Sequence, residues 1–106
     1  MRLGILLQTR DPEQAWNGLR FANAALRRGH ETRVFLMGAG VEVEDLREAP
    51  YDAGGQLEAF AAAGGTVLAC GTCLKGRGKA GSALCPLSTM DDCLDLVAWA
   101  ERVVTF

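Results

Sequence analysis

Apolar residues along this chain fall into two alternating kinds of run. Leu3 to Gln8 is apolar almost throughout, the pattern of a strand buried on both faces. Thr32 to Met37, Thr66 to Ala69, Leu84 to Leu87 and Val103 to Phe106 read as further strands, the fourth weakened by Pro86, which cannot donate to a ladder. Between them apolar positions recur at helical spacing. Ala15, Leu19, Ala22 and Leu26 form one stripe. Leu57, Phe60 and Ala61 form another within Gln56 to Ala63, stopped by Gly64-Gly65. Met90, Cys93, Leu94 and Val97 are the expected core stripe of the last helix. The helix starts are marked as well. Asp11 can cap free N–H groups, Pro12 fits the first helical position and Gln14 can reach back to the cap. Arg27, Arg28 and Gly29 end that helix. Thr89-Met90-Asp91-Asp92 is a second capped start.

Strands separated by helices call for right-handed strand–helix–strand units and a mostly parallel sheet of about five strands, an α/β fold. Gly38-Ala39-Gly40 turns the chain after the second strand. Val41 to Tyr51 reads as acidic and irregular, with room for a short helix. The 106 residues contain no linker, repeat or low-complexity tract and are expected to form a single domain over 1–106.

Composition narrows the function. At 49% hydrophobic residues the chain can bury a core, and 11 basic against 13 acidic residues, interspersed, give no footprint for nucleic acid. No stretch approaches the ~20 apolar residues of a membrane span, and the apolar opening is too short for a signal peptide. A cytoplasmic location is the expectation, with the four cysteines as reduced thiols suited to catalytic or metal roles rather than a structural disulfide.

Reactive groups in parallel sheets collect at the carboxyl ends of strands. Cys70 closes the third strand, and the stretch that follows it, Gly71-Thr72-Cys73-Leu74-Lys75-Gly76-Arg77-Gly78, is Gly-rich and basic with room for a short helix. Free N–H groups, Lys75, Arg77 and Lys79 would favour a Cys70 thiolate, and Gly71 would leave the approach to its sulfur open.

These residues resemble the DsrE/DsrF-like family, and the resemblance runs over nearly the whole chain. It is carried by the opening strand, Trp16 and Arg20-Phe21-Ala22-Asn23 on the first helix, Val34-Phe35-Leu36-Met37-Gly38, Cys70 with Arg77-Gly78, and Ser88-Thr89-Met90-Asp91-Asp92. The resemblance implies a three-layer α/β/α sandwich of flavodoxin-like, DsrE-like type, homo- or hetero-oligomers, and persulfide transfer between protein cysteines with Cys70 as the carrier. It implies sulfur donor and acceptor proteins as partners, a homo-oligomer such as a trimer or dimer, and no metal or organic cofactor. Cys73 and Cys85 depart from a one-cysteine carrier.

Other readings of the same residues stand beside it. Cys70-x₂-Cys73 fits a dithiol redox centre with Cys73 as the resolving thiol, although no cis-proline hairpin of a thioredoxin-like fold is legible. The spacing Cys70-x₂-Cys73-x₁₁-Cys85-x₇-Cys93 has one zinc knuckle and no second. Cys93 falls on the apolar stripe and reads as packing; Cys85 is either core or turned to the Cys70 loop. Gly76-x-Gly78-x-x-Gly81 matches a dinucleotide fingerprint in letters but follows no strand directly. His30, the single histidine, follows a helix stop and reads as solvated, with no cysteine-protease partner. On the last helix Leu96 and Trp99 lie off the Met90 stripe and form a second apolar stripe, read either as a partner surface or as packing on a neighbouring helix of the same domain. A non-catalytic assembly subunit that oligomerises through this helix is the remaining alternative.

Overall fold

The computed structural model describes residues 1–106. Five strands form one all-parallel sheet: β1 (Arg2–Leu7), β2 (Glu31–Leu36), β3 (Thr66–Cys70), β4 (Leu87–Ser88) and β5 (Arg102–Thr105). Their spatial order is β4-β3-β2-β1-β5. The chain moves stepwise from β1 to β4 and then crosses back beyond β1. With right-handed crossovers, that reversal puts the last connection on the opposite face of the sheet. Helices α1 (Pro12–Arg27) and α2 (Ala53–Ala62) accordingly pack together on one face. Helix α4 (Met90–Trp99) covers the other, and the short α3 (Gly71–Gly76) follows β3. The expected α/β/α layering is present.

Local chemistry explains most boundaries. Asp11 caps α1 by accepting the Gln14 N–H at 2.9 Å, while its own N–H goes to the Thr9 hydroxyl at 3.0 Å rather than to the Gln14 side chain. Ala15, Leu19 and Ala22 are fully buried and Leu26 half-buried, and Gly29 ends the helix at φ +83°, where a side chain would be strained. Thr89 and Asp92 close a reciprocal capping box on α4. The segment Gly38–Asp45 after β2 winds as a 3₁₀ helix, placing Val41 and Val43 in the core.

Three expectations need correction. Helix α2 begins at Ala53, three residues before Gln56, because Asp52 caps it through the Gly55 N–H at 2.8 Å. Gly54 and Gly55 hide that start, since glycine is a poor helix former. Gly54 is needed there: an added Cβ would stand 2.6 Å from the Glu44 carbonyl oxygen. Strand β4 is only Leu87–Ser88, and Pro86 joins through its carbonyl, which accepts the Ala69 N–H at 3.0 Å.

The third correction concerns α4. Cys93 and Leu96 are its buried residues, while Met90, Leu94 and Val97 are exposed. Leu96 therefore belongs to the core and not to a partner surface. It fills a socket over Gly4, where a Cβ would stand 2.6 Å from Leu96 Cδ2, beside Ala100 and Val103. Trp99 is half-buried, its ring 3.9 Å from the Arg33 guanidinium in a cation–π stack. The exposed apolar surface is instead made by Leu87, Met90, Leu94 and Val97. Cys93, at 5% exposure, is the packing residue expected. Cys93→Ala is predicted to lower stability by about 1 kcal/mol through lost packing, measured by denaturant unfolding, without changing the reactivity of the other thiols.

Candidate functional site

The carboxyl ends of β1, β2 and β3 bring together residues from three separate segments. Cys70 is the last residue of β3 and the N-cap of α3, and Cys73 sits at the third position of that helix. Residues three apart at a helix start share one side, so both sulfurs lie on the same flank of the turn. Their environments differ sharply. Cys70 is 4% exposed, whereas Cys73 is half-exposed and opens onto a cleft of about 760 Å³ lined by Arg10, Ala39, Glu42, Thr72, Cys73, Gly76 and Arg77.

The ionisation of the pair follows from this placement. The Cys70 thiol is pushed up, first by burial and then by its hydrogen bond to Cys73, which favours the protonated Cys70. The amides of Thr72 and Cys73 oppose the rise, but neither closes a capping hydrogen bond onto the sulfur. Cys73 is held below the ordinary thiol value, first by the hydrogen bond from Cys70 and next by the Gly38 N–H. That amide donates to Cys73 Sγ at 3.2 Å from the turn after β2. Burial opposes these two, and the Arg77 charge makes a smaller addition to the lowering. Depression of a thiol in this loop was expected at Cys70; it falls on Cys73, because the strand end that carries Cys70 is covered while the first turn of α3 faces the cleft.

The supporting residues divide similarly. Arg77 donates through Nη1 to the Cys73 carbonyl at 3.2 Å and through Nε to Glu42 Oε2 at 3.0 Å. Arg10 Nη1 reaches the same Glu42 oxygen at 3.4 Å, so two guanidiniums bracket one carboxylate at the rim. Lys79 is paired with Asp45 and stands away from the sulfurs, and Lys75 is exposed. Neither contributes to the lowered Cys73 thiol. Gly71 does not open a path to Cys70: an added Cβ there would stand 3.3 Å from the Ser88 carbonyl oxygen, so the glycine lets β4 close over the loop. Cys85 does not join the pair. It is buried, its N–H donates to the Ser82 hydroxyl at 3.0 Å, and burial with the nearby Glu44 pushes its thiol up to about 12. Cys93 lies behind Cys70, its thiol also raised by burial and by Cys70. All four cysteines are free, and no three His, Cys, Asp or Glu side chains gather as a metal site would require.

Sequence reasoning missed the Gly38 amide, Arg10, Glu42 and Thr72. The available signal was Gly38-Ala39-Gly40 directly after a strand, with Gly38 at φ +56° turning its amide toward the neighbouring strand end.

The ionisation order gives a direct test. A depressed thiol keeps its thiolate, and hence its reactivity, as pH falls below the ~8.5 of a free cysteine. Cys73 is predicted to alkylate fastest of the four at neutral pH, with Cys70, Cys85 and Cys93 slow. Arg77→Ala should move the midpoint of the Cys73 pH–rate profile upward. Site-resolved iodoacetamide labelling across pH reads both.

The fold and site define a small parallel α/β protein with a thiol pair at the carboxyl edge of its sheet. The DsrE/DsrF-like family profile matches residues 1–106, and the chain belongs to that family, which implies a general sulfur-relay role. The chain is 37% identical over 100 residues to the uncharacterized protein MJ0989 of Methanocaldococcus jannaschii, covering 89% of this chain and 88% of that one. It is 33% identical over 100 residues to the uncharacterized protein MK0008 of Methanopyrus kandleri, covering 89% and 83%. The crystal structure of the ychN protein from E. coli superposes over 100% of both chains with a TM-score of 0.84 at 25% identity. No helix is long and apolar enough to cross a membrane.

Proposed function

We propose that the Cys70–Cys73 pair carries sulfur as a persulfide between partner proteins, and that Cys73 rather than Cys70 is the thiol those partners meet. The observation that carries this reading is the position of Cys73. Its sulfur lies at the mouth of an open cleft, holds the Gly38 N–H at 3.2 Å and has Arg77 beside it. A thiolate so placed can attack the outer sulfur of a donor persulfide. The new S–S bond forms on Cys73, the donor's S–S bond breaks, and the donor leaves as a thiolate. An acceptor thiolate then takes the outer sulfur by the reverse exchange. The chain's tasks are to keep Cys73 ionised, to exclude stray thiols from Cys70, and to present the loaded sulfur at the rim between Arg10 and Arg77.

Family membership supports the sulfur chemistry, and the half-exposed thiol supports contact with protein partners. The test is a two-stage transfer. The chain is loaded from a cysteine desulfurase with cysteine, freed of donor, and mixed with a reduced acceptor protein. The acceptor should gain the mass of one sulfur atom as the chain loses it. Failure of the chain to gain sulfur from that donor or from polysulfide would sink the reading.

Homo-oligomerisation is part of this proposal. Met90, Leu94 and Val97 are exposed and share one face of α4 by their helical spacing, with Leu87 exposed just before it, and apolar faces of this kind mark interfaces. Light scattering is predicted to give a dimer or trimer, and Leu94→Glu to shift it to monomer without unfolding. A monomeric wild-type chain at micromolar concentration would remove this part.

A further inference from the structure

The chain holds a second thiol that no outside partner can reach, and its place beside Cys73 gives it a distinct use. We propose that Cys70 discharges the site: its sulfur attacks the inner sulfur of a Cys73 persulfide, closes a Cys70–Cys73 disulfide and releases the carried sulfur as hydrogen sulfide. The inference rests on sulfur carriage at Cys73 and adds a fate for sulfur that finds no acceptor.

Three observations carry it. Cys70 is 4% exposed, covered by β4 and α4, so the sulfur it can engage from the cleft side is that of Cys73. The two occupy the N-cap and third positions of α3. Positions three apart in a helical turn have Cβ atoms roughly 5–6 Å apart, and a disulfide needs them at about 3.5–4.5 Å, so closure requires a small tightening of the first turn of α3. Finally, the Gly38 N–H holds the Cys73 sulfur at 3.2 Å on the side of the turn where Cys70 lies, one helical turn from it. Burial keeps Cys70 protonated in the resting chain, so it does not compete with Cys73 for the donor.

The step balances without an added oxidant. The bond between Cys73 Sγ and the outer sulfur breaks, a bond between Cys70 Sγ and Cys73 Sγ forms, and the Cys70 proton leaves with the outer sulfur. The departing sulfur is reduced, and the Cys70 sulfur is oxidised in its place. A dithiol reductant, small or protein-borne, then returns the pair to two thiols. In the presence of an acceptor thiol the two routes compete, so the chain delivers sulfur when a partner is docked and releases it as sulfide when none is.

The experiment loads wild-type and Cys70→Ser chains with polysulfide, removes the donor by gel filtration, and follows released sulfide and bound persulfide with no thiol added. The wild-type chain is expected to release about one sulfide per chain as a Cys70–Cys73 disulfide appears in peptide mapping, consistent with intramolecular displacement. Cys70→Ser keeps a hydroxyl donor and should load, but has no thiol to displace sulfide and should retain its persulfide at least about tenfold longer. Disulfide mapping of the wild type reads the proposal without relying on the variant. A wild-type chain that loads and keeps its sulfur overturns the discharge step and leaves carriage intact. Release accompanied by a Cys70–Cys93 disulfide, or equal release from Cys70→Ser, also overturns it. A chain that never loads overturns carriage, and the discharge step with it.

Discussion

Replacing Cys73 with serine is expected to reduce persulfide formation on the chain by two orders of magnitude or more, on the order of what removing a nucleophile does elsewhere. The hydroxyl that replaces the thiol stays protonated at neutral pH and cannot bond a second sulfur. Cys70 cannot take over. It is covered, and burial holds it as a thiol. Cys85 and Cys93 are likewise buried, with raised thiols. The fold should survive, since the substitution is nearly isosteric and the site is half-exposed. Uptake of sulfur measured by intact mass after desulfurase loading, beside a far-ultraviolet circular dichroism spectrum, separates lost chemistry from lost structure. Loading of Cys73→Ser at the wild-type rate would move the carrier to another residue.

The second large effect is on stability. Gly40→Ala is expected to cost about 3 kcal/mol or more, the upper end for overpacking, because the obstacle is backbone. A Cβ at Gly40 would overlap the Leu7 carbonyl oxygen and stand 2.8 Å from its carbonyl carbon, at the point where β1 ends. Neither partner can rotate away, since the Leu7 carbonyl also accepts the Met37 N–H at 3.1 Å. Against the 5–15 kcal/mol typical of a domain, this is a large fraction of the total. The damage would reach the site as well. Gly40 follows the Gly38 amide that bonds Cys73, so a displaced turn should also raise the Cys73 thiol. Denaturant unfolding measures the first effect and the pH profile of alkylation the second. A stability loss below ~1 kcal/mol would mean that the turn yields more easily than its geometry implies.

How much of this was legible in the sequence depends on which forces set each feature. Helix α1 was readable end to end, since Asp11, Pro12 and Gly29 act locally through capping and φ. The parallel direction of the strands followed from their separation by helices, while their order in the sheet did not. Helix α4 was readable in its capped start but not in its rotation. Apolar residues occur nearly all round it, at Met90, Cys93, Leu94, Leu96, Val97 and Trp99, so periodicity alone cannot choose a face. The choice is made by Gly4, far earlier in the chain, whose missing side chain leaves the socket that Leu96 fills.

The site shows the same division. The spacing of Cys70 and Cys73 placed a thiol pair at a strand end, and Arg77, expected as charge near Cys70, donates instead to the Cys73 carbonyl. Which of the two sulfurs faces the cleft depends on β4 and α4 closing over the strand end, contacts that a local pattern does not carry. Gly38 contributes only its backbone N–H, and the Gly38-Ala39-Gly40 run marks the turn without showing that its amide meets Cys73. Glu42 and Arg10 come from other segments and meet Arg77 only in the folded chain.

The most direct test of the account is to locate the carried sulfur. The wild-type chain would be loaded from a desulfurase, its persulfide capped at once with an alkylating agent, and the peptide bearing both Cys70 and Cys73 fragmented in the mass spectrometer. The account predicts the added sulfur on Cys73, with Cys70 present as a plain thiol or, after discharge, in a disulfide with Cys73. Sulfur found on Cys70 with Cys73 unmodified would contradict it.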